Sequence, residues 1–299
     1  MLRTASLKDV DQVLNVCVSH ESRVDKSVEP MTRADVEISI KGVGVPGHTI
    51  VWDQAGQITA VCFVFTDAGR KRYELDLFYL DSIPNAEDVY AAALSHLKAL
   101  GREFEVTSSA NQKDLSTLKL IESFGFRFYR NYWKLIRQNK ADQFPKLPEN
   151  IEVRQLPFNE NANLYWRLEM DSFSEHFGYK FVEFEPWFKM RKEDSLIDQQ
   201  GSFVIYKDSV PAGYLISSNG REELQGGFID KLGVVKSMQG QGLGRKLLLH
   251  GIAHSAHKGH TSIALGVDSG NESGAIALYE SVGFRPEVVW SAYRLPDLL

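Results

Sequence analysis

The apolar positions in the second half of the chain predict short strands that alternate with amphipathic helices. Within residues 161–177, Leu164, Leu168 and Phe173 recur on or near one helical face, and residues 202–218 have the pattern of a hairpin that turns near 207–210. Strands are predicted at 151–154, 228–235, 262–267 and 287–295, and helices at 161–177, 186–191, 244–258 and 274–281. The order β-α-α-β-β-β-α-β-α-β predicts a mixed α/β fold.

The first half follows this order in outline and also repeats individual residues. Glu122, Gly125, Phe126 and Arg127 recur as Glu280, Gly283, Phe284 and Arg285, at a constant offset of 158 residues. Several matches at one offset indicate an internal duplication. Residues 139–150 are polar and contain two prolines, which is typical of a linker. We therefore predict two tandem domains, residues 1–138 and 151–299, joined by the linker 139–150.

Composition narrows the class of protein. The 299 residues carry a net charge of −5, which argues against a general nucleic-acid binder because such proteins need a basic face. No apolar run approaches the roughly 18 residues of a membrane span, and no secretory signal is visible at the start. Only Cys17 and Cys62 occur, so neither a disulfide framework nor a thiolate metal site is expected. We expect a cytoplasmic protein that binds neither nucleic acid nor membrane.

A glycine-rich turn at residues 239–244 lies between the strand 228–235 and the helix that follows it. Glycines let backbone N–H groups approach a ligand closely, and a helix N-terminus adds partial positive charge, so the turn suits a diphosphate. The spacing G-x-G-x-G fits a dinucleotide fingerprint poorly, and the Gly-Lys-Ser/Thr of a nucleotide P-loop is absent. A tight turn that binds no ligand is the remaining alternative.

At these residues the chain resembles the GCN5-related N-acetyltransferase (GNAT) family. Gln239, Gly242 and Gly244 match the family's Q/R-x-x-G-x-G/A loop, and residues 267–284 are similar to its second signature, an Asn, an Ala-rich helix, a Tyr and a closing Gly-Phe. The resemblance implies two tandem GNAT domains. The tandem arrangement and the tail at 290–295 resemble the mycothiol synthase branch, which carries a Glu where this chain has Phe228.

The resemblance also implies roles for residues in the second domain. The backbone of Leu232 and Val234 would pair with the pantetheine arm of acetyl-CoA, Asn271 would hydrogen-bond it, and an N–H near Val234 would polarise the thioester carbonyl. Tyr279 would protonate the leaving thiolate, since its ordinary pKa of about 10 is close to the about 8.5 of a thiol; the alternative is a core aromatic. The diphosphate would be held by Gln239, Gly240, Gln241, Gly242, Leu243, Gly244 and Arg245.

The general base is predicted from an acidic residue in an apolar strand. By the two-residue alternation, Asp230 shares a face with Phe228, Leu232 and Val234. It would be the base or an anchor for the amine, or else form a salt bridge, for instance with Lys231 or Arg245. Glu222 and Glu223 are the reserve candidates for the base. Tyr293, in the last strand, is a candidate second acid or substrate contact.

The remaining candidates are aromatic residues and histidines. The segment 171–188 contains Phe173, His176, Phe177, Tyr179 and Trp187, which either wall the acceptor pocket or pack in the core. His250, His254 and His257 share a helical face, and a solvated face is favoured over zinc ligation because no fourth ligand is evident. No metal is therefore predicted.

The first half lacks the residues that would bind the acyl donor. The 158-residue offset places residues 81–86 over 239–244, and that segment has no glycine. Pro84 removes a backbone donor and Asp81 adds negative charge, while Ile121 replaces Tyr279. We predict that the first domain does not bind acetyl-CoA in the ordinary way.

These features together predict acetyl transfer from acetyl-CoA to a primary amine in the second domain, with a small-molecule or peptide acceptor. Transfer of a longer acyl group is one alternative. A non-catalytic protein that senses acyl-CoA is another.

Overall fold

The computed structural model describes residues 1–26, 28–42, 48–67, 71–81, 83–100, 104–175, 179–194, 196–270 and 274–296. The chain forms two compact units, of which unit 1 comprises Met1–Trp133 and Glu287–Leu299, and unit 2 comprises Lys134–Pro286. Each predicted domain was one continuous stretch of chain. In the structure, Glu287–Leu299 belongs to unit 1 and not to the second domain.

The elements of each unit follow the predicted order. Unit 1 begins with β1 Leu2–Thr4, α1 Val10–Val24, α2 Arg33–Lys41, β2 Ile50–Gln54, β3 Gln57–Asp67, β4 Arg72–Tyr79, α3 Ile83–Ala99, β5 Glu105–Asn111 and α4 Leu115–Ser123. The chain continues with β6 Arg127–Gln138, β7 Ile151–Gln155, α5 Ala162–Ser172, α6 Phe184–Glu193, β8 Ile197–Lys207, β9 Val210–Ser218, β10 Gly226–Val234, α7 Leu243–His257, β11 Ser262–Asp268, α8 Ala275–Ser281 and β12 Arg285–Leu295. The prediction of a mixed α/β fold is confirmed.

The sheet of unit 1 has the strand order β1-β2-β3-β4-β5-β12. Strands β1 to β4 are antiparallel neighbours, β4 and β5 run parallel, and β12 pairs antiparallel with β5. Alternate residues of β4 divide between the two faces. Tyr73, Leu75 and Leu77 are buried in one core with Tyr90 of α3, while Phe63 of β3 packs in another with residues of α1 and α2.

The sheet of unit 2 has the strand order β11-β10-β9-β8-β7, with β10 and β11 parallel. Tyr214 and Ile216 of β9 pack in a core with residues of α5 and α6. Leu215 points the other way, toward Gly251 of α7, where an added Cβ would lie 2.8 Å from Leu215 Cδ1. Helix α7 therefore requires glycine at this position to approach the sheet.

Most predicted boundaries in unit 2 hold to within two residues. The hairpin turns at Asp208 and Ser209, both with positive φ, which matches the tight two-residue turn of twisted strands. The predicted helix 161–177 is shorter than expected, since α5 ends at Ser172 and Ser174 Oγ donates back to the carbonyl of Asp171. Within the described residues, no helix is both long and apolar enough to cross a membrane.

Candidate active site

The central feature of unit 2 is a gap between two parallel strands. Pairing joins Gly226–Ile229 of β10 to Ser262–Leu265 of β11, and beyond these pairs the two strands continue to Val234 and Asp268. On its other side β10 stays paired with β9 as far as Val234. The backbone groups of residues 230–234 that face the gap are therefore available to an extended ligand.

The glycine turn lies directly after this open edge. Gly240 and Gly242 have φ of +74° and +73°, the left-handed region that favours glycine, and Gly242 is the N-cap of α7. A Cβ on Gly240 would meet nothing within 4 Å. The first backbone N–H groups of α7 have no partner within the helix itself. Turn and helix thus have the backbone geometry of a cradle, and its binding of a diphosphate stays a prediction.

Other contacts join the turn to its surroundings and add positive charge. The side-chain amide of Gln239 donates to the carbonyl of Val234 at 3.1 Å, which fixes the turn to the end of β10. Gln241 accepts a hydrogen bond from Lys207, and Lys246 Nζ would lie 3.6 Å from a Cβ on Gly242. These two ammonium groups and the helix dipole favour an anion here.

The predicted cofactor residues converge on the start of α7. A Cβ on Gly244 would lie 3.6 Å from Val234 and 3.9 Å from Leu232, both on β10, and 3.7 Å from Leu278 of α8. Leu243 is buried, whereas Arg245 is exposed. Asn271 lies outside the described residues, so its predicted contact with pantetheine stays a prediction.

Tyr279 follows Leu278 on α8 and is fixed by its surroundings. Its carbonyl accepts hydrogen bonds from the N–H groups of Val282 and Phe284, and its ring meets that of Phe284 edge to face at 6.2 Å. The side chain is 8% exposed. Burial raises the pKa of Tyr279 to about 12, so the phenol keeps its proton at neutral pH, as a general acid requires. The role of Tyr279 as acid stays a prediction.

Asp230 lies at a β-bulge, which changes the face that the sequence predicted for it. The register of β10 against β9 shifts at Asp230. Its carboxylate reaches Arg191 of α6, whereas Leu232 and Val234 point toward Gly244 at the start of α7. The prediction that Asp230 shares a face with Leu232 and Val234 is therefore wrong, because the bulge interrupts the alternation.

Asp230 belongs to a cluster of charges with Arg191 and Glu169. Arg191 Nη1 lies 2.8 Å from Asp230 Oδ2, and Nη2 lies 3.5 Å from Glu169 Oε2. Burial raises the pKa of Asp230, but the charges of Lys231 and Arg191 outweigh it and leave the pKa below its usual value. A carboxylate of this kind is a weak base. The sequence suggests Lys231 or Arg245 as the salt-bridge partner, whereas the partner in the structure is Arg191, which is 39 residues away in the chain.

Loss of Arg191 is expected to destabilise the protein. Arg191→Met would leave Glu169 buried without a counter-charge, while Asp230, 27% exposed, could still be hydrated. We expect a loss of about 2 kcal/mol in unfolding free energy, below the roughly 3–5 kcal/mol of a fully buried pair. Urea unfolding measures this, and adding Glu169→Gln should recover part of the loss. Equal stability of Arg191→Met and the wild type would contradict the importance of this ion pair.

The reserve carboxylates lie at the opposite end of β10. Glu222 precedes the strand, where its carboxylate is 2.6 Å from Lys258 Nζ, and this contact lowers its pKa. Glu223 follows it in the same short turn. Since the glycine turn is at the far end of β10, nine residues long, neither glutamate is placed to serve as the base.

The predicted acceptor residues have different environments. Trp187 is 2% exposed and packs with Phe158 at 5.7 Å, which is the core-packing alternative. Phe173 is partly buried against the same core. The Tyr179 hydroxyl lies 3.9 Å from Met170 Sδ and is also partly buried. His176 and Phe177 lie outside the described residues.

Tyr293 is in unit 1, whereas the sequence analysis put it in the second domain. The strand β12 pairs with β5, and this pairing places Tyr293 opposite Ser108. Its hydroxyl donates to Glu122 Oε1 at 3.2 Å, and its ring is buried in the core of unit 1. The role of Tyr293 as a second acid or substrate contact stays a prediction.

Only part of the histidine face of α7 is solvated, since His257 is exposed but His250 is buried and His254 is half-buried, which corrects in part the interpretation favoured from the sequence. Phe144, in the predicted linker, stacks on His257 at 5.0 Å and lies 5.5 Å from His250. His254 Nε2 is 3.3 Å from Asp198 Oδ2. Helical spacing alone could not reveal that a residue of the linker packs on this face. Among the described residues, no group of three His, Cys, Asp or Glu side chains is placed to hold a metal ion.

Unit 1 has a gap between its own parallel strands but a much shorter connection beside it. Three residues, 80–82, join β4 to α3, whereas eight residues, 235–242, join β10 to α7. Three residues cannot form the turn that surrounds a diphosphate in the manner described for unit 2. The difference in length adds to the lack of glycine that the sequence analysis noted.

Comparison with known proteins identifies the same segment. A family model described as "Acetyltransferase (GNAT) family" matches residues 159–284. "Mycothiol acetyltransferase" of Thermobispora bispora is 28% identical over 181 residues, which are 59% of this chain and 61% of that protein, so the match spans about three fifths of the relative's length.

Two solved structures share the fold over nearly the whole chain. A GCN5-related N-acetyltransferase from Sphaerobacter thermophilus has a TM-score of 0.80 at 17% identity and covers 98% of this chain and 94% of its own. A tandem GNAT protein from the clavulanic acid biosynthesis pathway has a TM-score of 0.77 at 14% identity. The match covers 98% of this chain and 97% of that protein's chain. The predicted resemblance to tandem GNAT proteins is confirmed.

Proposed function

We propose that unit 2 transfers an acetyl group from acetyl-CoA to a primary amine, since residues 159–284 match the model of the acetyltransferase (GNAT) family. The observation that carries this proposal is the junction of the open edge of β10 with the glycine turn before α7. An extended arm that ends in a diphosphate fits that junction. Phe228 stands where mycothiol synthases carry Glu, so the proposal names the acceptor only as a primary amine.

In this proposal the donor is held by backbone groups. The edge at residues 230–234 pairs with the pantetheine arm, and the N–H groups of the turn and of the first residues of α7 hold the diphosphate. Lys207 and Lys246 add the counter-charge. An N–H near Val234 donates to the thioester carbonyl oxygen and stabilises the negative charge that develops there.

The transfer moves two protons. The amine nitrogen forms a bond to the carbonyl carbon, the carbon–sulfur bond breaks, and the sulfur takes the proton of the Tyr279 hydroxyl. Asp230 is ionised and fixed by Arg191, so we assign it to contact the amine rather than to act as the base. The amine proton then passes to water, Tyr279 regains a proton from water, and the rate should rise with pH as the free amine forms.

The test is thiol release by the full-length protein from acetyl-CoA in the presence of a panel of primary amines, with mass spectrometry of the product amide. We expect release that depends on an amine and the formation of its acetyl derivative. Binding of acetyl-CoA without release by any amine would favour a non-catalytic acyl-CoA sensor. Faster release from butyryl-CoA than from acetyl-CoA would favour a longer acyl group.

The stoichiometry of donor binding tests which unit is involved. We expect calorimetry to give one acetyl-CoA per chain, because only unit 2 has a connection long enough to surround the diphosphate. A stoichiometry of two would show that the short connection in unit 1 also binds the donor, and would contradict the assignment of a single site.

A further inference from the structure

Unit 1 contains a cavity of about 310 Å³, which is at the lower end of the about 300–1,000 Å³ of ligand pockets. It lies where the parallel strands of this unit separate. Pairing of β4 with β5 ends at Asp76 and Ser109, although both strands continue, to Tyr79 and Asn111. Residues of α1 and β12 complete its lining, among them Glu21 and Trp290.

The wall of the cavity carries an excess of carboxylates. Glu21, Glu74 and Asp76 line it, and Glu74 and Asp76 lie on the same face of β4 because they are two residues apart. Asp114 also lines the cavity, but His20 Nε2 lies 2.9 Å from its carboxylate. No lysine or arginine lines the cavity in the described part of the chain.

Cations near the cavity are engaged elsewhere, and Arg23 for example contacts His20 Nδ1 and donates to the carbonyl of Tyr79. Burial raises the pKa of Glu74 and the positive charge of Arg72 opposes this rise, but the guanidinium of Arg72 forms an ion pair with Glu105 at 3.0 Å. Burial, and after it the negative charge of Glu74, raises the pKa of Asp76. A positive charge in the cavity would relieve this repulsion and stabilise the ionised carboxylate. The unit thus has a site where a cation is favoured and an anion such as a phosphate is repelled.

Most of the remaining lining is apolar or aromatic, although Ser109 and Asn111 also contribute polar groups. Met31, Phe78 and Trp290 face the cavity, and an aromatic ring attracts a cation as well as an apolar group. The absence of a metal-binding group among the described residues, together with these walls, favours an organic cation over a metal ion.

We infer that unit 1 binds a small organic cation, a primary amine on an apolar body, in the cavity between β4 and β5. The ammonium group contacts Asp76 and Glu74, and the body packs against Trp290 and Phe78. This site is separate from the acetyl-transfer site proposed for unit 2. It uses the gap between the strands of unit 1 for recognition of an amine alone, without an acyl donor.

Ligand-observed saturation-transfer NMR with the full-length protein tests this inference. The probes are phenethylamine and isoamylamine, and their controls are 2-phenylethanol and phenylacetate, which keep the aromatic body and lack the positive charge. We expect saturation of the amines and little or none of the alcohol and the acid. In Asp76→Asn the affinity for the amines should fall by at least about 10-fold, because a charge-assisted contact is lost.

Two control variants separate this site from other causes. Glu87→Gln removes one negative charge from an exposed position on α3 of the same unit and should leave binding unchanged. Asp230→Asn removes the amine contact proposed for unit 2, so amine binding that persists in Asp230→Asn and falls in Asp76→Asn belongs to unit 1. Thermal unfolding checks that each variant is folded. Failure of both amines to bind at millimolar concentration, equal binding of the acid, or unchanged binding in folded Asp76→Asn would overturn the inference.

Discussion

Replacing Gly242 with aspartate is expected to weaken acetyl-CoA binding by about 10³-fold while the protein stays folded. Gly242 is the N-cap of α7 at φ +73°, and a Cβ there points to open space near Lys246. A carboxylate at this point would stand in the proposed path of the diphosphate. Two unit charges 4 Å apart repel by about 4 kcal/mol at an effective dielectric constant of 20, and each 1.4 kcal/mol is about tenfold in affinity. Calorimetric titration of the full-length variant measures the change.

Gly259→Asp is the matched control for this substitution. Gly259 has φ +85°, nothing lies within 4 Å of a Cβ there, and it follows the other end of α7. Both variants add the same charge and the same left-handed strain, roughly 1–2 kcal/mol, but the helix dipole favours the new carboxylate at residue 242 and disfavours it at residue 259, so Gly242→Asp should be the more stable of the two. Only Gly242→Asp should lose affinity. Wild-type affinity in Gly242→Asp would mean that residues 239–244 are a turn without a ligand.

Features that depend on local sequence could be predicted. The turn at Asp208 and Ser209 follows from the polar break between two apolar runs, and the glycine turn before α7 follows from the spacing of its glycines. The loss of the glycine turn in the first half could also be predicted, because residues 81–86 contain no glycine. In each case the cause lies within a few residues of the effect.

Features that depend on distant contacts could not be predicted. The two-residue alternation placed Asp230 on the wrong face because a bulge is a property of strand pairing. Its partner Arg191 comes from a helix on the other side of a hairpin. The final strand was assigned to the second domain because it follows that domain in the chain, although β12 pairs with β5 and carries Tyr293 into unit 1.

The carboxylates of the unit 1 cavity could have been predicted from the sequence. In the segment from Tyr73 to Leu77, acidic and apolar residues alternate, so Glu74 and Asp76 must share one face of a strand whose other face is core. Alignment with residues 239–244 shows only that the first half lacks the glycine turn. The alternation shows in addition that the first half has two carboxylates on one face of a strand.

Tyr279→Phe is expected to lower kcat by about 10²- to 10³-fold, with little change in acetyl-CoA affinity. This corresponds to roughly 3–4 kcal/mol of transition-state stabilisation. The substitution keeps the ring against Phe284 and removes only the proton donor. We expect the lower part of the range for general acids because burial raises the pKa of Tyr279 to about 12, further from the about 8.5 of a free thiol. The sulfur would lie in the same poorly hydrated surroundings, which also raise the pKa of a thiol. The difference between the pKa of Tyr279 and that of the thiol is therefore smaller in the site. Steady-state kinetics and calorimetry on the same samples separate kcat from binding.

The pH profile and a second tyrosine decide whether Tyr279 is the acid. A donor is lost when it ionises, so activity that depends on Tyr279 should fall only as pH rises toward about 12, and kcat/KM should show no decline from this group below about pH 10. Tyr293→Phe is the control, since it also removes one buried hydroxyl, which here hydrogen-bonds Glu122 in unit 1, and it should leave kcat unchanged.

Full turnover in Tyr279→Phe would place the acid elsewhere. A loss confined to Tyr293→Phe would identify that residue as the next candidate. A decline in kcat/KM centred near the ordinary phenol pKa, present in the wild type and absent in Tyr279→Phe, would keep Tyr279 as the acid but show that its side chain is far more hydrated in solution than its 8% exposure implies.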